Sequence, residues 1–197
     1  AGHEVIVADG GSRDTTPALA APLADRVIQA PRGRARQMNA GAAAAGGDAL
    51  LFLHADTRLP TGAAEAIAAA LARRDWGRFD VTIEGRSPWL AVVAGLMNLR
   101  SRLTGIATGD QGIFVTRAAF DRVGGFPDQP LMEDIELSKR LKRLGPPACP
   151  HDRVATSGRR WDRDGVGRTI LLMWRLRFDY WRGVPAERLA RRYHPEA

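Results

Sequence analysis

Twice within its first 56 residues the chain runs a short apolar segment straight into a carboxylate. Glu4 to Ala8 ends at Asp9-Gly10-Gly11-Ser12, and Ala49 to Leu53 ends at His54-Ala55-Asp56. Continuous apolar runs this short read as strands buried on both faces, the kind found in sheets covered by helices. Helical segments lie between them. Thr16-Pro17 opens one with Pro at the first helical position, Arg34 to Ala45 forms another that Gly46-Gly47 stops, and Ala63 to Arg73 follows Pro60-Thr61-Gly62. Val27 to Ala30 adds a further strand. The alternation predicts an α/β fold, a mostly parallel sheet flanked by helices. Ligands of such sheets gather beyond the carboxyl ends of the strands, so Asp9 and Asp56 are expected in one site.

The middle of the chain is less regular. Phe79 to Glu84 alternates like a strand, and Trp89 to Leu103 carries Leu90, Val93, Leu96, Met97 and Leu99 at helical spacing. Gly109 to Gly112 is a polar turn before the strand Ile113 to Val115, and Ala118 to Val123 is a short helix ended by Gly124-Gly125. Met132-Glu133-Asp134 opens a helix with the stripe Leu137, Leu141, Leu144 and with basic residues at its end. Val166 to Trp181 predicts a helical tail in which Leu, Met, Trp and Phe mix with Arg.

At 197 residues one domain with a helical tail fits, divided as 1–161 and 162–197. The formal charge of +7 comes almost wholly from arginine, since lysine occurs only at Lys139 and Lys142. Such a surface suits phosphates. Basic runs interleaved with aromatics do not stand out, so no nucleic-acid partner is expected. Cys149 is the single cysteine, which rules out an internal disulfide and fits a reducing compartment.

Five clusters can carry chemistry. Asp9 after a buried strand can accept from a base or a ribose, with Gly10 and Gly11 letting a ligand approach and Ser12 closing the turn. The same residues also make a plain strand-to-helix turn capped by Asp14 or Thr16. Asp56 can hold a divalent cation that bridges two phosphates, Mg²⁺ or Mn²⁺, with His54 as a second ligand or as a hydrogen-bonded residue at the core's edge. Glu133 and Asp134 at a helix start sit in the positive end of the helix dipole, which suits either a general base or a cap. Thr108-Gly109-Asp110-Gln111 can line a sugar pocket, and Arg159-Arg160-Trp161 can meet a diphosphate.

In this order and spacing the clusters resemble glycosyltransferase family 2, inverting nucleotide-sugar transferases with the GT-A fold. The resemblance runs from about Val5 to Trp161 and rests most on Val123-Gly124-Gly125-Phe126-Pro127 followed by Glu133-Asp134-Ile135-Glu136-Leu137, with Asn39-Ala40-Gly41 and Gly47-Asp48 ahead of the metal motif. It implies a nucleoside-diphosphate sugar as donor, UDP first, and a hydroxyl acceptor. Asp134 would then be the base, Glu133 would orient the site, and Asp9, Gly10, Gly11, Ser12 and Arg34 would meet the nucleotide. Asp56 and His54 would hold the metal, and Gly109, Asp110, Gln111, Arg160 and Trp161 would line the acceptor and diphosphate. His54 stands where the family's metal motif has its first Asp, and Ser157 stands where its longer Arg-Trp motif begins. Members also usually open with a further strand carrying a Pro and an Asn-Glu pair, so the expected sheet lacks its first strand. That lack, with His54, keeps a non-catalytic nucleotide- or sugar-binding module as the alternative. The tail can lie on a membrane surface, meet a second copy, or pack on its own domain. The expected location is the cytoplasm, at the inner face of the membrane if the tail binds lipid.

Overall fold

The computed structural model describes residues 2–193. Eight strands and nine α-helices follow one another along them. The first half runs β1 (Ile6–Asp9), α1 (Thr16–Ala20), β2 (Arg26–Gln29), α2 (Arg34–Ala44), β3 (Ala49–Phe52), β4 (Thr57–Arg58), α3 (Ala63–Leu71), β5 (Trp76–Arg78) and β6 (Asp80–Glu84). The second half runs α4 (Trp89–Thr104), β7 (Ile113–Thr116), α5 (Arg117–Arg122), α6 (Glu133–Lys142), β8 (Arg153–Ser157), α7 (Arg159–Asp164), α8 (Val166–Trp181) and α9 (Ala186–Tyr193).

The α/β class and the helical tail are as expected, but strand directions are more mixed than a mostly parallel sheet. β1 pairs with β2 and β6 with β8 in parallel, whereas β3–β7, β5–β7 and β4–β8 are antiparallel. The reason lies in the turn before β7. Ile113 starts that strand opposite Phe52, the last residue of β3, so β7 leaves the edge at which β3 arrives.

The facing edges of β1 and β3 pair with no other strand among the described residues. The two strands start at the same end, where the Glu4 carboxylate accepts from the Gly46 backbone N–H at 2.8 Å. A cavity of about 660 Å³ opens between them, walled by Ile6 to Ala8 on one side and Leu50 to Leu53 on the other.

Three apolar clusters carry the packing. One joins α2, β3, β7 and α6 through Phe52, Phe120, Phe126 and Leu137. Phe126 meets Phe52 edge-on with centroids 4.8 Å apart, a geometry favoured by the ring quadrupoles. The second joins β6, β8 and α4. The third packs Leu176 and Leu189 of the tail on Leu131, Met132 and Ile135, so the described part of 162–197 folds back beside α6. Beneath α4 lies a buried charged group. Asp80 takes a hydrogen bond from Arg78 and another, 2.8 Å long, from Arg102, while the Asn98 amide pairs with both backbone groups of Val81.

Candidate active site

The Glu133–Asp134 pair enters its helix through a strained residue. Met132, the residue before α6, has φ 66°, the only positive value among the described residues other than glycine. Such a conformation costs about 1–3 kcal/mol and persists where the surroundings over-determine it. Met132 is buried in the third cluster, which holds it there. Asp134 Oδ2 then accepts from the Gly109 backbone N–H at 2.9 Å, and Oδ1 from its own helix at Ile135 at 2.7 Å. Burial pushes the Asp134 carboxyl above the usual carboxylate range, against the pull of these two donors. Burial raises Glu133 as well, and the neighbouring Asp134 charge adds to the shift.

The loop at the end of β3 meets the 3-10 turn Gly109–Gln111. His54 Nδ1 lies 3.3 Å from Asp110 Oδ1. Burial acts to lower the His54 pKa, but Asp110 outweighs it and the imidazolium is favoured; Asp110 is held low in return. His54 Nε2 is buried without a hydrogen-bond partner and rests on Gly109, where an added Cβ would stand 2.4 Å away. Only glycine lets the imidazole and the Asp134 contact share this turn. The sequence carries no signal for that beyond a glycine in a turn.

A second cavity, about 530 Å³, lies between α4 and α8 and has Glu133 and Asp134 in its wall. The two cavities share Arg34, His54, Asp110, Trp161, Met173 and Tyr193. Arg34 opens α2; burial acts to lower its pKa, but Tyr193 and then Glu133, Asp110 and Asp134 together raise it. Asp56 and Arg160 line the first cavity.

The remaining expected residues divide. Asp9 turns its carboxylate back on its own loop, accepting from the Gly11 and Ser12 N–H groups and the Ser12 hydroxyl. The Ser12 hydroxyl foremost holds it below the usual carboxylate range. Asp9, Gly10, Gly11 and Ser12 lie outside both cavity walls, where Ala8 is the last contributor from β1. Gln111 is fully buried, closes a capping box with Thr108 and faces neither cavity. The Arg160 guanidinium stacks on the Tyr193 ring at 3.7 Å and donates to the Tyr193 carbonyl. Trp161 packs against the second cluster. Arg100, unmarked in the sequence, lines the second cavity with Nε and Nη2 buried and without hydrogen-bond partners.

Among the described residues no three His, Cys, Asp or Glu side chains come together as a metal site. Asp56 lines the first cavity, with its carboxylate 3.6 Å from the exposed Arg159 guanidinium. One carboxylate of this kind suits Mg²⁺ or Mn²⁺ when diphosphate oxygens complete the shell. His54 turns Nδ1 to Asp110, while Nε2 lies against Gly109.

The model of glycosyl transferase family 2 matches residues 2–120, more than half of the chain. The chain belongs to this family. The chain is 26% identical to the beta-monoglucosyldiacylglycerol synthase of Synechocystis over 92% of its own length and spans 43% of that relative. Solved structures share its GT-A fold. S. aureus TarS in complex with UDP matches over 78% of this chain and 51% of that one, at 18% identity and a TM-score of 0.60. The mannosyltransferase PcManGT from Pyrobaculum calidifontis, solved with GDP-Man and Mn²⁺, matches over 88% of this chain and 51% of that one, at 22% identity and a TM-score of 0.60. No helix among the described residues is long and apolar enough to cross a membrane.

Proposed function

We propose that this glycosyltransferase moves a sugar from a nucleoside diphosphate to an acceptor hydroxyl in one displacement, with inversion. The observation that carries the reading is the meeting of two cavities at Arg34, His54 and Asp110, with Asp134 in the wall of the second. The donor diphosphate lies in the first cavity beside Asp56 and Arg160, and the acceptor enters the second. Asp134 takes the proton as the acceptor oxygen bonds to the anomeric carbon, and the sugar–phosphate bond breaks with its electron pair leaving on the nucleoside diphosphate. Arg34 places positive charge at the junction where that negative charge develops, and the His54 ring, held by Asp110, lies beside it. The Gly109 N–H holds Asp134 Oδ2 and the Ile135 N–H holds Oδ1, so both oxygens are fixed in place while each keeps a lone pair for the proton. A divalent cation held by Asp56 would neutralise the diphosphate.

Thermal unfolding with UDP and with GDP, each with and without Mn²⁺, tests the donor half. Ligand at ~100 times Kd stabilises by ~2.7 kcal/mol, a shift of roughly 5–10 °C for a domain of this size. A Mn²⁺-dependent shift with one nucleotide supports the reading and names the donor base, UDP being the first expectation. No shift with either nucleotide overturns it.

A further inference from the structure

Helices α4 and α8 are apolar on two sides. Their inner faces bury Leu90, Val93 and Leu176. Their outer faces carry a second stripe that stays exposed among the described residues. On α4 it is Trp89, Val92, Leu96, Leu99 and Leu103; on α8 it is Leu171, Trp174, Phe178 and Trp181. The steps of three and four residues keep each set on one helix face. Exposure runs from 50% at Val92 to 78% at Trp181, so this is a continuous choice along both helices rather than one stray side chain.

The 530 Å³ cavity opens between these stripes. Leu96, Leu99, Leu103 and Trp174 belong both to the exposed stripes and to the cavity wall, so they form its rim. Its lining is mostly apolar along α4 and α8 and turns polar at one end, where Arg100, Glu133 and Asp134 meet the junction residues Arg34, His54 and Asp110. A sugar or another small polar acceptor gains little from such a lining, whereas an amphiphile fills it end to end. The chain of an amphiphile would lie along the apolar walls and its head group would arrive at the carboxylates. The unpartnered Arg100 nitrogens supply donors for head-group oxygens.

Charge favours one occupant for the stripes. Along α8 and just past it stand Arg168, Arg175, Arg177 and Arg182; of the nearby carboxylates, Asp179 already pairs with Arg192 at 2.6 Å, and Asp164 lies within reach of Arg168. A second copy of the chain would bring the same arginines to the same face. An anionic lipid surface would bring their complement together with an apolar interior.

We infer that the α4–α8 face docks on an anionic membrane surface and that the groove between the helices takes the acyl or isoprenoid chain of a lipid acceptor, whose hydroxyl meets Asp134. The acceptor assignment rests on the base role proposed for Asp134; the docking and the filling of the groove do not.

The test uses flotation and fluorescence of the full chain, neither of which needs the donor. The chain is expected to float with vesicles of phosphatidylcholine plus phosphatidylglycerol and, far less, with phosphatidylcholine alone. Trp89→Glu with Trp181→Glu, both outside the cavity wall, should lower flotation on the order of tenfold or more while thermal unfolding and nucleotide shifts stay unchanged. Occupancy of the groove is read separately. With Trp89, Trp174 and Trp181 changed to Phe, only Trp76 and Trp161 remain; Trp76 is fully buried and Trp161 lines the cavity. Phosphatidylcholine with brominated chains, mixed into the anionic vesicles, should quench part of the remaining fluorescence, and Leu99→Trp added to this variant should report stronger quenching at the rim. An intact chain that stays unbound with both vesicles overturns the docking, as does a dimer that Trp89→Glu/Trp181→Glu dissolves without any flotation. Flotation without quenching of the three-Phe variant overturns the lipid in the groove. Asp134→Asn should float and quench like the intact chain, so failure of the base assignment is seen apart from failure of the docking.

Discussion

The backbone N–H of Gly109 donates to Asp134 Oδ2 across 2.9 Å, joining the 3-10 turn before β7 to the first turn of α6. Because His54 Nε2 packs on the same glycine, one residue sets the position of both a carboxylate and an imidazole. Gly109→Ala is expected to force them apart. Its Cβ would begin 2.4 Å from the His54 ring, so transfer should drop while nucleotide binding, read by thermal shift, falls far less. An alanine variant with unchanged kcat would remove the positioning role.

Asp134→Asn keeps the shape and removes the base. A positioned base of this kind contributes ~10²–10⁴-fold, and kcat should fall by that factor with the nucleotide-induced shift intact. Wild-type turnover by the variant would exclude Asp134 as the base.

The pH dependence follows from the raised Asp134 pKa. The base must be ionised, so the acid limb of kcat should lie above the pH at which an ordinary aspartate titrates. The stability linkage has the opposite sense. Because the folded value exceeds the unfolded one, the favourable contribution of this carboxyl is complete below the unfolded value and is lost as pH rises through the folded one. Asp134→Asn should therefore gain stability relative to wild type as pH increases through that window. An acid limb at the ordinary aspartate value, with no pH-dependent gain, would contradict the burial argument.

Asp80 anchors two guanidinium groups under α4, one of them the fully buried Arg78. Asp80→Ala leaves that charge unpaired in the interior, which costs about 3–5 kcal/mol. Urea unfolding should show the loss. A change under 1 kcal/mol (about the value of an exposed pair) would mean water reaches Arg78.

Asn39 uses its side-chain amide as a piece of strand, donating to the Phe126 carbonyl at 2.8 Å and accepting from the Phe126 N–H at 3.0 Å. Asn39→Ala leaves both backbone groups without these partners, at about 1–3 kcal/mol. Gly125, with φ 67°, would put a Cβ 2.8 Å from the Asn39 oxygen, so Gly125→Ala should destabilise through the same contact. If the double variant loses the sum of the two single losses, the coupling is absent.

Much of this was legible in the chain itself. Short apolar runs ending in Asp9 and Asp56 named the strand ends, and Val166 to Trp181 gave the tail helix with the bounds found in the structure. Both depend on patterns a few residues long, and hydrophobic period acts at that range. The spacing of Gly124-Gly125-Phe126 from Glu133-Asp134 was also plain, and the Asn39 contact explains part of it.

Other features depended on partners far apart in sequence. Asp9 can be read as a ligand-facing carboxylate or as part of a plain strand-to-helix turn; in the fold it accepts from Gly11 and Ser12 of its own loop. His54 can be read as a metal ligand or as a hydrogen-bonded residue at the core's edge; in the fold its Nδ1 meets Asp110, 56 residues on. Arg100 sits inside an ordinary apolar helix stripe and becomes conspicuous only when α8 closes a cavity over it. The sequence alone determined which residue types arrive at the strand ends and helix starts, because those depend on local period and turn chemistry. Tertiary structure decided which of them share a cavity, which are spent on their own loops and which pKa values rise, because burial and hydrogen-bond partners come from segments the chain brings together only on folding.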